Sequence, residues 1–447
     1  MKLPEKYVTR MRELLGDDAE AYFAALDADS SRAMRINRTK LKGELPCVEG
    51  VSITPSGIDD VLLFDGAAGG KNPLHHAGAY YIQELSAMLP VLSAPIEKGW
   101  AVLDLCAAPG GKTGQLASAV GDEGFVVTNE YSSKRSKVLL GNVERMGYKS
   151  CAVYNTTPAV LCPAFAGRFD LVLVDAPCSG EGMFRKEPDA VQDWSPENSD
   201  GCAARQMEIM RSAAIAVKPG GYLLYSTCTF SPAEDEELLA AFIAEDGRFT
   251  LTKANPPEGA GELMPGIDID GIDGKMCHRA YPHKIKGEGQ FFALLRRDDS
   301  PAQKPATKEK KPKKGKAPAP AGIRRLTKAE ETSARAFLKD FLDGDSNLPL
   351  CVLGGDIFIC REDDLPIDGL LSCGVRLGSI ANDGRLVPHH HFFSAYGHMA
   401  KSKLDLAHDD PLLEKYLHGE GFATDELPAG WGVITVCGCA VGGFRVA

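Results

Sequence analysis

Between residues 100 and 228 the chain alternates short, continuous apolar runs with longer stretches whose apolar residues recur every three or four positions. The runs are Trp100–Cys106 (WAVLDLC), Gly124–Glu130 (GFVVTNE), Cys151–Asn155 (CAVYN), Phe169–Asp175 (FDLVLVD) and Tyr222–Cys228 (YLLYSTC). Each has the length of a strand and lacks the polar alternation of a half-solvated one, so each reads as a buried strand. Between the last two, Met207, Met210, Ala214 and Val217 keep helical spacing, and Lys218–Gly221 (KPGG) predicts the stop of that helix. Strand and helix in alternation predict an α/β fold with a mostly parallel sheet and right-handed crossovers. Ligands are then expected beyond the carboxyl ends of the strands.

The flanks read differently. Leu14, Leu15, Tyr22, Phe23 and Leu26 suggest a helical start and Ala33–Asn37 (AMRIN) a strand, which makes residues 1–75 a small α+β segment ahead of a main domain at 76–298. Residues 301–325 (PAQKPATKEKKPKKGKAPAPAGIRR) carry seven Lys and two Arg against one Glu and almost no large apolar side chain. Such a tract cannot offset its ordering entropy by burial, so residues 299–322 read as a flexible linker able to make transient contacts with phosphates. Beyond it, a helix around Thr332–Leu342 and β-like runs at Val352–Cys360 and Gly432–Val436 predict two small modules, 323–387 and 388–447.

Composition narrows the function. No stretch of about 18 apolar residues could span a bilayer, and the opening MKLPEKYVTR has no apolar signal core, so no membrane is expected and the location reads as cytoplasmic. The 13 cysteines are an odd number scattered over a long chain, which favours reduced thiols. Only Cys437 and Cys439 approach the short spacing of a metal pair, and His389, His390 and His391, if extended, point to alternate faces as a polar surface patch; no metal is expected. A net charge of −11 excludes a protein that coats nucleic acid indiscriminately, but not an enzyme acting on one.

Two sets of residues carry chemistry. Cys106–Thr113 (CAAPGGKT) directly follows the first buried strand, where a glycine pair lets a ligand approach the backbone and the next helix offers its amino terminus. A triphosphate loop would need a glycine at Cys106 and would lose an N–H at Pro109. Glu130, closing the second strand, is placed to take the two hydroxyls of a ribose; loop and acid together predict a nucleoside-bearing cofactor, either a dinucleotide or S-adenosylmethionine. The second set is DAPCSGEG (175–182) and YSTCTF (225–230), which put Cys178 and Cys228 at the ends of two strands, with Asp175 three residues ahead of Cys178. Free cysteines are often inert filler, but two at matched strand ends beside a ligand crevice point to nucleophilic work.

In combination, CAAPGGKT, DAPCSGEG, FRKEPDA followed by WSPE, YSTCTFSPAEDE and GAYYIQELSAM (78–88) resemble the ordered signatures of the Sun-type RNA cytosine-5 methyltransferases, and more closely their bacterial ribosomal-RNA branch, the RsmF-like enzymes. The resemblance covers residues 1–297 well and the rest loosely. It implies a Rossmann-like class I methyltransferase domain, S-adenosylmethionine as cofactor, and RNA as partner, either ribosomal RNA or a small-subunit particle. It implies donor binding by Cys106, Ala107, Ala108, Pro109, Gly110, Gly111, Lys112, Glu130 and Asp175, Cys228 as nucleophile, Cys178 as helper in product release, and Lys112 and Asp175 close to the reacting base. Asn155 stands where the family usually has an acid, with an amide still able to meet adenine. The part after the linker is similar to that branch's carboxy-terminal modules, the last of them PUA-like and RNA-binding. The implied chemistry is coherent, because cytosine carbon 5 is a poor nucleophile until a thiolate adds to carbon 6 and an acid near ring nitrogen 3 steadies the charge. Transfer RNA as substrate, a non-catalytic ribosome-assembly factor and a nucleotidase are the rival expectations.

Overall fold

The computed structural model describes residues 2–29, 32–45, 51–66, 72–300, 322–362, 364–421, 423 and 427–446. Apart from residues 299, 300 and 322, the predicted linker lies outside them. No helix among the described residues is long and apolar enough to cross a membrane.

Two helices, Glu5–Leu15 and Ala19–Leu26, open the chain and bury Tyr7, Met11 and Tyr22 against Phe184, Trp194 and Phe230. An antiparallel sheet follows, built from β1 (Arg32–Ile36), β2 (Ser52–Pro55), β3 (Val61–Asp65) and β4 (Tyr80–Ile82) in the order β2-β3-β1-β4. The central region contains β5 (Ala101–Asp104), β6 (Phe125–Asn129), β7 (Cys151–Tyr154), β8 (Phe169–Asp175), β9 (Val217–Thr227), β10 (Phe249–Thr252), β11 (Met264–Pro265), β12 (Cys277–Ala280) and β13 (Gln290–Arg297). After the linker come β14 (Leu350–Leu353), β15 (Asp356–Ile359), β16 (Leu370–Cys373), β17 (Val375–Ile380) and β18 (Leu386–Pro388), then β19 (Lys403–Leu406), β20 (Gly430–Val436) and β21 (Cys439–Val446).

The main sheet runs β11-β12-β13-β9-β8-β5-β6-β7-β16, with β10 also paired to β13. Its centre, β9-β8-β5-β6-β7, is parallel, and the flanking strands are antiparallel. All five predicted strands form that centre. Order reverses about β5, which opens a crevice at the carboxyl ends of β5, β6 and β8. Apolar residues on both faces of these strands are fully buried, among them Leu103, Val127 and Val172 on one and Val102, Val126 and Leu171 on the other, as a sheet covered on both sides by helices requires.

Three sequence readings change. The helix preceding β9 runs Pro196–Ala216, and Val217 is already extended and paired with Phe169, so KPGG begins a strand whose register with β8 slips between Phe169 and Leu171. Pro219 cannot donate to a ladder, and the slip is where its missing N–H is accommodated. The triple histidine is not an extended surface patch: His389 caps a helix, His390–Tyr396, by accepting from His391 N. His391 is fully buried, its Nδ1 accepting from Arg376 N and its Nε2 facing Tyr148 O at 3.4 Å; burial lowers its pKa to about 3, so it is neutral packing against the central domain. Finally, the chain beyond the linker is not merely appended. β16 adds an antiparallel edge strand to β7, and Asn155 N donates to Gly369 O (2.8 Å).

Candidate active site

The glycine loop turns from β5 into the helix Gly111–Val120. Gly110 has φ 110°, and a Cβ there would lie 3.1 Å from Leu139; a Cβ on Gly111 would meet Gln83 at 3.0 Å. Only glycines therefore let the turn close this tightly. The loop is pinned from one side, because Ala107 N donates to Asn129 O (2.8 Å), Arg135 to Ala108 O (2.7 Å) and Asn142 to Pro109 O (2.9 Å). Beneath it Asp104 is fully buried and accepts from Thr113 Oγ1 (2.7 Å), while its Oδ1 has no partner among the described residues. Burial pushes the Asp104 carboxyl up to about 7, with Thr113 opposing and Asp175 reinforcing the shift. Burial, then the neighbouring carboxylates, also push the Cys106 thiol up, so it stays protonated and is no rival nucleophile.

Glu130, just past β6, is nearly buried and accepts from Ser132 N (2.8 Å), with Arg135 at 3.5 Å. Asn155 supports the same turn. Its Nδ2 donates to Glu130 O (2.7 Å) and Tyr131 O (2.9 Å), so it buttresses the Glu130 turn, and what it can still offer a ligand is its side-chain oxygen. The glycine cradle, the strand-end carboxylate of Glu130 and the partnerless Asp104 oxygen fit a nucleoside-bearing donor such as S-adenosylmethionine.

At the other side of the crevice Asp175 closes β8 opposite Ser226. Its Oδ2 accepts from Lys112 Nζ (2.7 Å), and its Oδ1 accepts from Ser226 Oγ (2.6 Å) and Gln290 Nε2 (3.3 Å). Lys112 is 8% exposed and Asp175 partly exposed, and the ion pair joins the helix after the glycine loop to the end of β8. Cys178 and Cys228, from the loops after β8 and β9, meet with 3.1 Å between sulfurs. The hydrogen bond to Cys228, with burial adding to it, raises the Cys178 thiol well above its usual range. Cys178 thus keeps its proton and can donate it to the Cys228 sulfur.

Glu234 sets this contact. It is fully buried, accepts from Ser179 N (3.0 Å), Ser179 Oγ (2.5 Å), Ser199 Oγ (2.6 Å) and Gln206 Nε2 (2.9 Å), and Ser179 Oγ also meets Thr229 Oγ1 at 2.8 Å. Ser179, which follows Cys178, is thereby anchored by the carboxylate and bonded directly to Thr229, which follows Cys228. Glu181 plays a parallel part, accepting from Arg10 (2.5 Å), Trp194 Nε1 (2.7 Å) and Phe230 N (3.1 Å), which ties the WSPE motif and the first helix to the Cys228 loop. A Cβ on Gly182 would lie 2.5 Å from Gly289 Cα; that backbone approach brings the start of β13, and so Gln290, to the site. Sequence reading brought Lys112, Asp175, Cys178 and Cys228 together and missed Ser226, Gln290, Glu181 and Glu234. Glu234 and Glu181 lay inside quoted motifs but had no role assigned there; nothing local marks Gln290.

Comparison with known proteins matches residues 91–296 to the family "16S rRNA methyltransferase RsmB/F" and residues 3–85 to the "N-terminal domain of 16S rRNA methyltransferase RsmF". Ribosomal RNA small subunit methyltransferase F of Escherichia fergusonii is 36% identical over 69% of this chain and 66% of its own length. The protein of the same name from Cronobacter sakazakii is 33% identical over 86% of this chain and 81% of its own. A methyltransferase homolog protein from Pyrococcus horikoshii shares the fold, with TM-score 0.54, 22% identity, and coverage of 66% of this chain and 95% of its own.

Proposed function

The chain belongs to the 16S rRNA methyltransferase RsmB/F family, and from that premise we propose that it methylates carbon 5 of a cytosine in small-subunit ribosomal RNA, through a covalent bond from Cys228 to carbon 6. The observation that carries this reading is the thiol pair, 3.1 Å apart at the ends of two neighbouring parallel strands, beside a carboxylate held by three donors. Cys178, Asp175 and Lys112 complete the catalytic set. Cys106–Lys112, Glu130 and Asp175 hold S-adenosylmethionine, with Asn155 steadying the Glu130 turn. Bound there, S-adenosylmethionine supplies an electrophilic methyl group.

The residues act in sequence. Cys228, as thiolate, adds to carbon 6, and the carbon 5–carbon 6 π electrons move toward ring nitrogen 3. There the Lys112–Asp175 pair supports the developing charge with the proton it shares. The enamine carbon 5 then takes the methyl group. A solvent water takes the carbon-5 proton, whose electron pair returns to the ring and expels the Cys228 sulfur, and the hydrogen bond from Cys178 steadies the departing thiolate. The cytosine must be unpaired or flipped out to reach thiols at strand ends. The reading places the enzyme in the cytoplasm with ribosomal RNA or a small-subunit particle as partner, and gives the region after the linker, with a PUA-like last module at 388–447, to RNA docking.

Mapping 5-methylcytidine in ribosomal and transfer RNA from cells with and without the gene tests the reading. Loss of one or a few small-subunit sites is expected. Loss confined to transfer RNA would correct the substrate, and no lost site in either would remove the catalytic reading in favour of an assembly role.

A further inference from the structure

Away from the crevice, three cysteines converge that lie nine and thirteen residues apart in the chain, a spacing no short metal motif has. Cys351 comes from β14, Cys360 from just past β15 and Cys373 from the end of β16, and their sulfurs lie within 4.8 Å of one another. The sulfurs of Cys351 and Cys373 are 3.6 Å apart. A tetrahedral zinc ion with sulfurs about 2.3 Å away separates any two of them by about 3.8 Å, so the observed gap is close to one edge of that tetrahedron. Cys351 and Cys360 are partly exposed, which leaves a path for an ion and for one water to fill a fourth position.

The place matters as much as the spacing. Cys373 lies opposite Ala152 of β7, so it sits on the strand that adds the post-linker region to the central sheet, whereas Cys351 pairs with Phe358 within that region's own sheet. Two residues beyond Cys360, Glu362 forms an ion pair with Arg168 of the central domain. An ion held by all three thiols would therefore join β14, the turn after β15 and β16 at the seam between the two regions. A disulfide could join only two of them.

We propose that Cys351, Cys360 and Cys373 form a binding site for a thiophilic divalent cation of the zinc class, which clamps the post-linker region to the edge of the central sheet. Binding converts three thiols to thiolates and releases three protons, leaving a tri-thiolate zinc centre with a net charge of −1. Neither the methyl-donor pocket nor the Cys178–Cys228 pair contributes to this site.

The full-length chain, reduced and stripped of metal, is titrated with zinc against a chromophoric competitor and, separately, with cobalt. About one tight equivalent is expected, with proton release on binding, together with cobalt spectra showing thiolate charge transfer and the strong visible bands of tetrahedral coordination. Cys351→Ser, Cys360→Ser and Cys373→Ser should each weaken zinc binding by at least about tenfold, whereas Cys437→Ser and the double variant Cys178→Ser/Cys228→Ser should leave it unchanged. S-adenosylmethionine affinity of the three site variants checks that they are folded; Cys360→Ser, altering the partly exposed turn, is the least intrusive of them. Absence of a tight equivalent, an octahedral cobalt spectrum, or undiminished binding by folded site variants would each overturn the proposal.

Discussion

Replacing Glu234 with alanine probes the least expected part of the site. The carboxylate is fully buried and receives four donors from Ser179, Ser199 and Gln206. Its loss leaves those donors without their acceptor in a space that water can fill only partly. Hydrogen bonds to a charged group are worth about 1.5–3 kcal/mol each, and each buried donor left without an acceptor costs about 1–3 kcal/mol, with the total well below the sum because the terms are not additive. A loss of about 4 kcal/mol in urea unfolding is therefore expected for Glu234→Ala, and roughly half of that for Glu234→Gln, which keeps one acceptor oxygen. The kinetic effect is separable from stability. With Ser179 released from Glu234, the hydroxyl that meets Thr229 loses its anchor and the two sulfurs their fixed separation, and a displacement on the order of 1 Å costs about a hundredfold in rate. Below its unfolding transition, Glu234→Ala should thus lose about a hundredfold in kcat for methyl incorporation while calorimetry finds S-adenosylmethionine affinity within about twofold of the parent. The reasoning is refuted if the alanine variant is within about 0.5 kcal/mol of the parent in urea and methylates at the parental rate.

Glu130→Ala should weaken S-adenosylmethionine binding by about ten- to a hundredfold, the worth of charge-assisted hydrogen bonds to a ribose; unchanged affinity by calorimetry would remove Glu130 from the donor site. Asp104 makes a pH prediction. Its folded pKa is raised from 3.8 to about 7, so the folded chain holds a proton that the unfolded chain releases, and stability falls as pH rises from about 4 to about 7, then levels. At about 1.4 kcal/mol per unit the fall approaches 4 kcal/mol, and Asp104→Asn, neutral throughout, should gain on the parent across that window in scanning calorimetry; parallel curves would show that Asp104 ionises freely.

The central sheet was legible because β5 to β9 are apolar on both faces and short, a pattern with few alternatives. The helix does stop just before KPGG, but Val217 misled because it keeps the helical spacing, while its pairing with Phe169 is a tertiary fact. The histidine run misled for a related reason: three polar residues look solvated until Tyr148 and Arg376 cover them. In the site, Cys178, Cys228 and Asp175 lay at or just after strand ends, which placed them, and Lys112 was placed by what the family resemblance implies. Gln290 reaches Asp175 only because β13 runs antiparallel beside β9, and the thiols of Cys351, Cys360 and Cys373 meet only because β16 leaves its neighbours to join β7. Strand pairing at that range leaves no periodicity to read.

The most direct test of the covalent mechanism compares Cys178→Ala with Cys228→Ala on a denaturing gel after incubation with unpaired small-subunit RNA and S-adenosylmethionine. Cys228 makes the bond to carbon 6 and Cys178 assists only its breakage, so Cys178→Ala should accumulate a slow-migrating protein–RNA adduct and Cys228→Ala should form none and methylate nothing. An adduct from Cys228→Ala with none from Cys178→Ala would exchange the two roles, and methylation by Cys228→Ala at the parental rate would contradict the covalent mechanism itself.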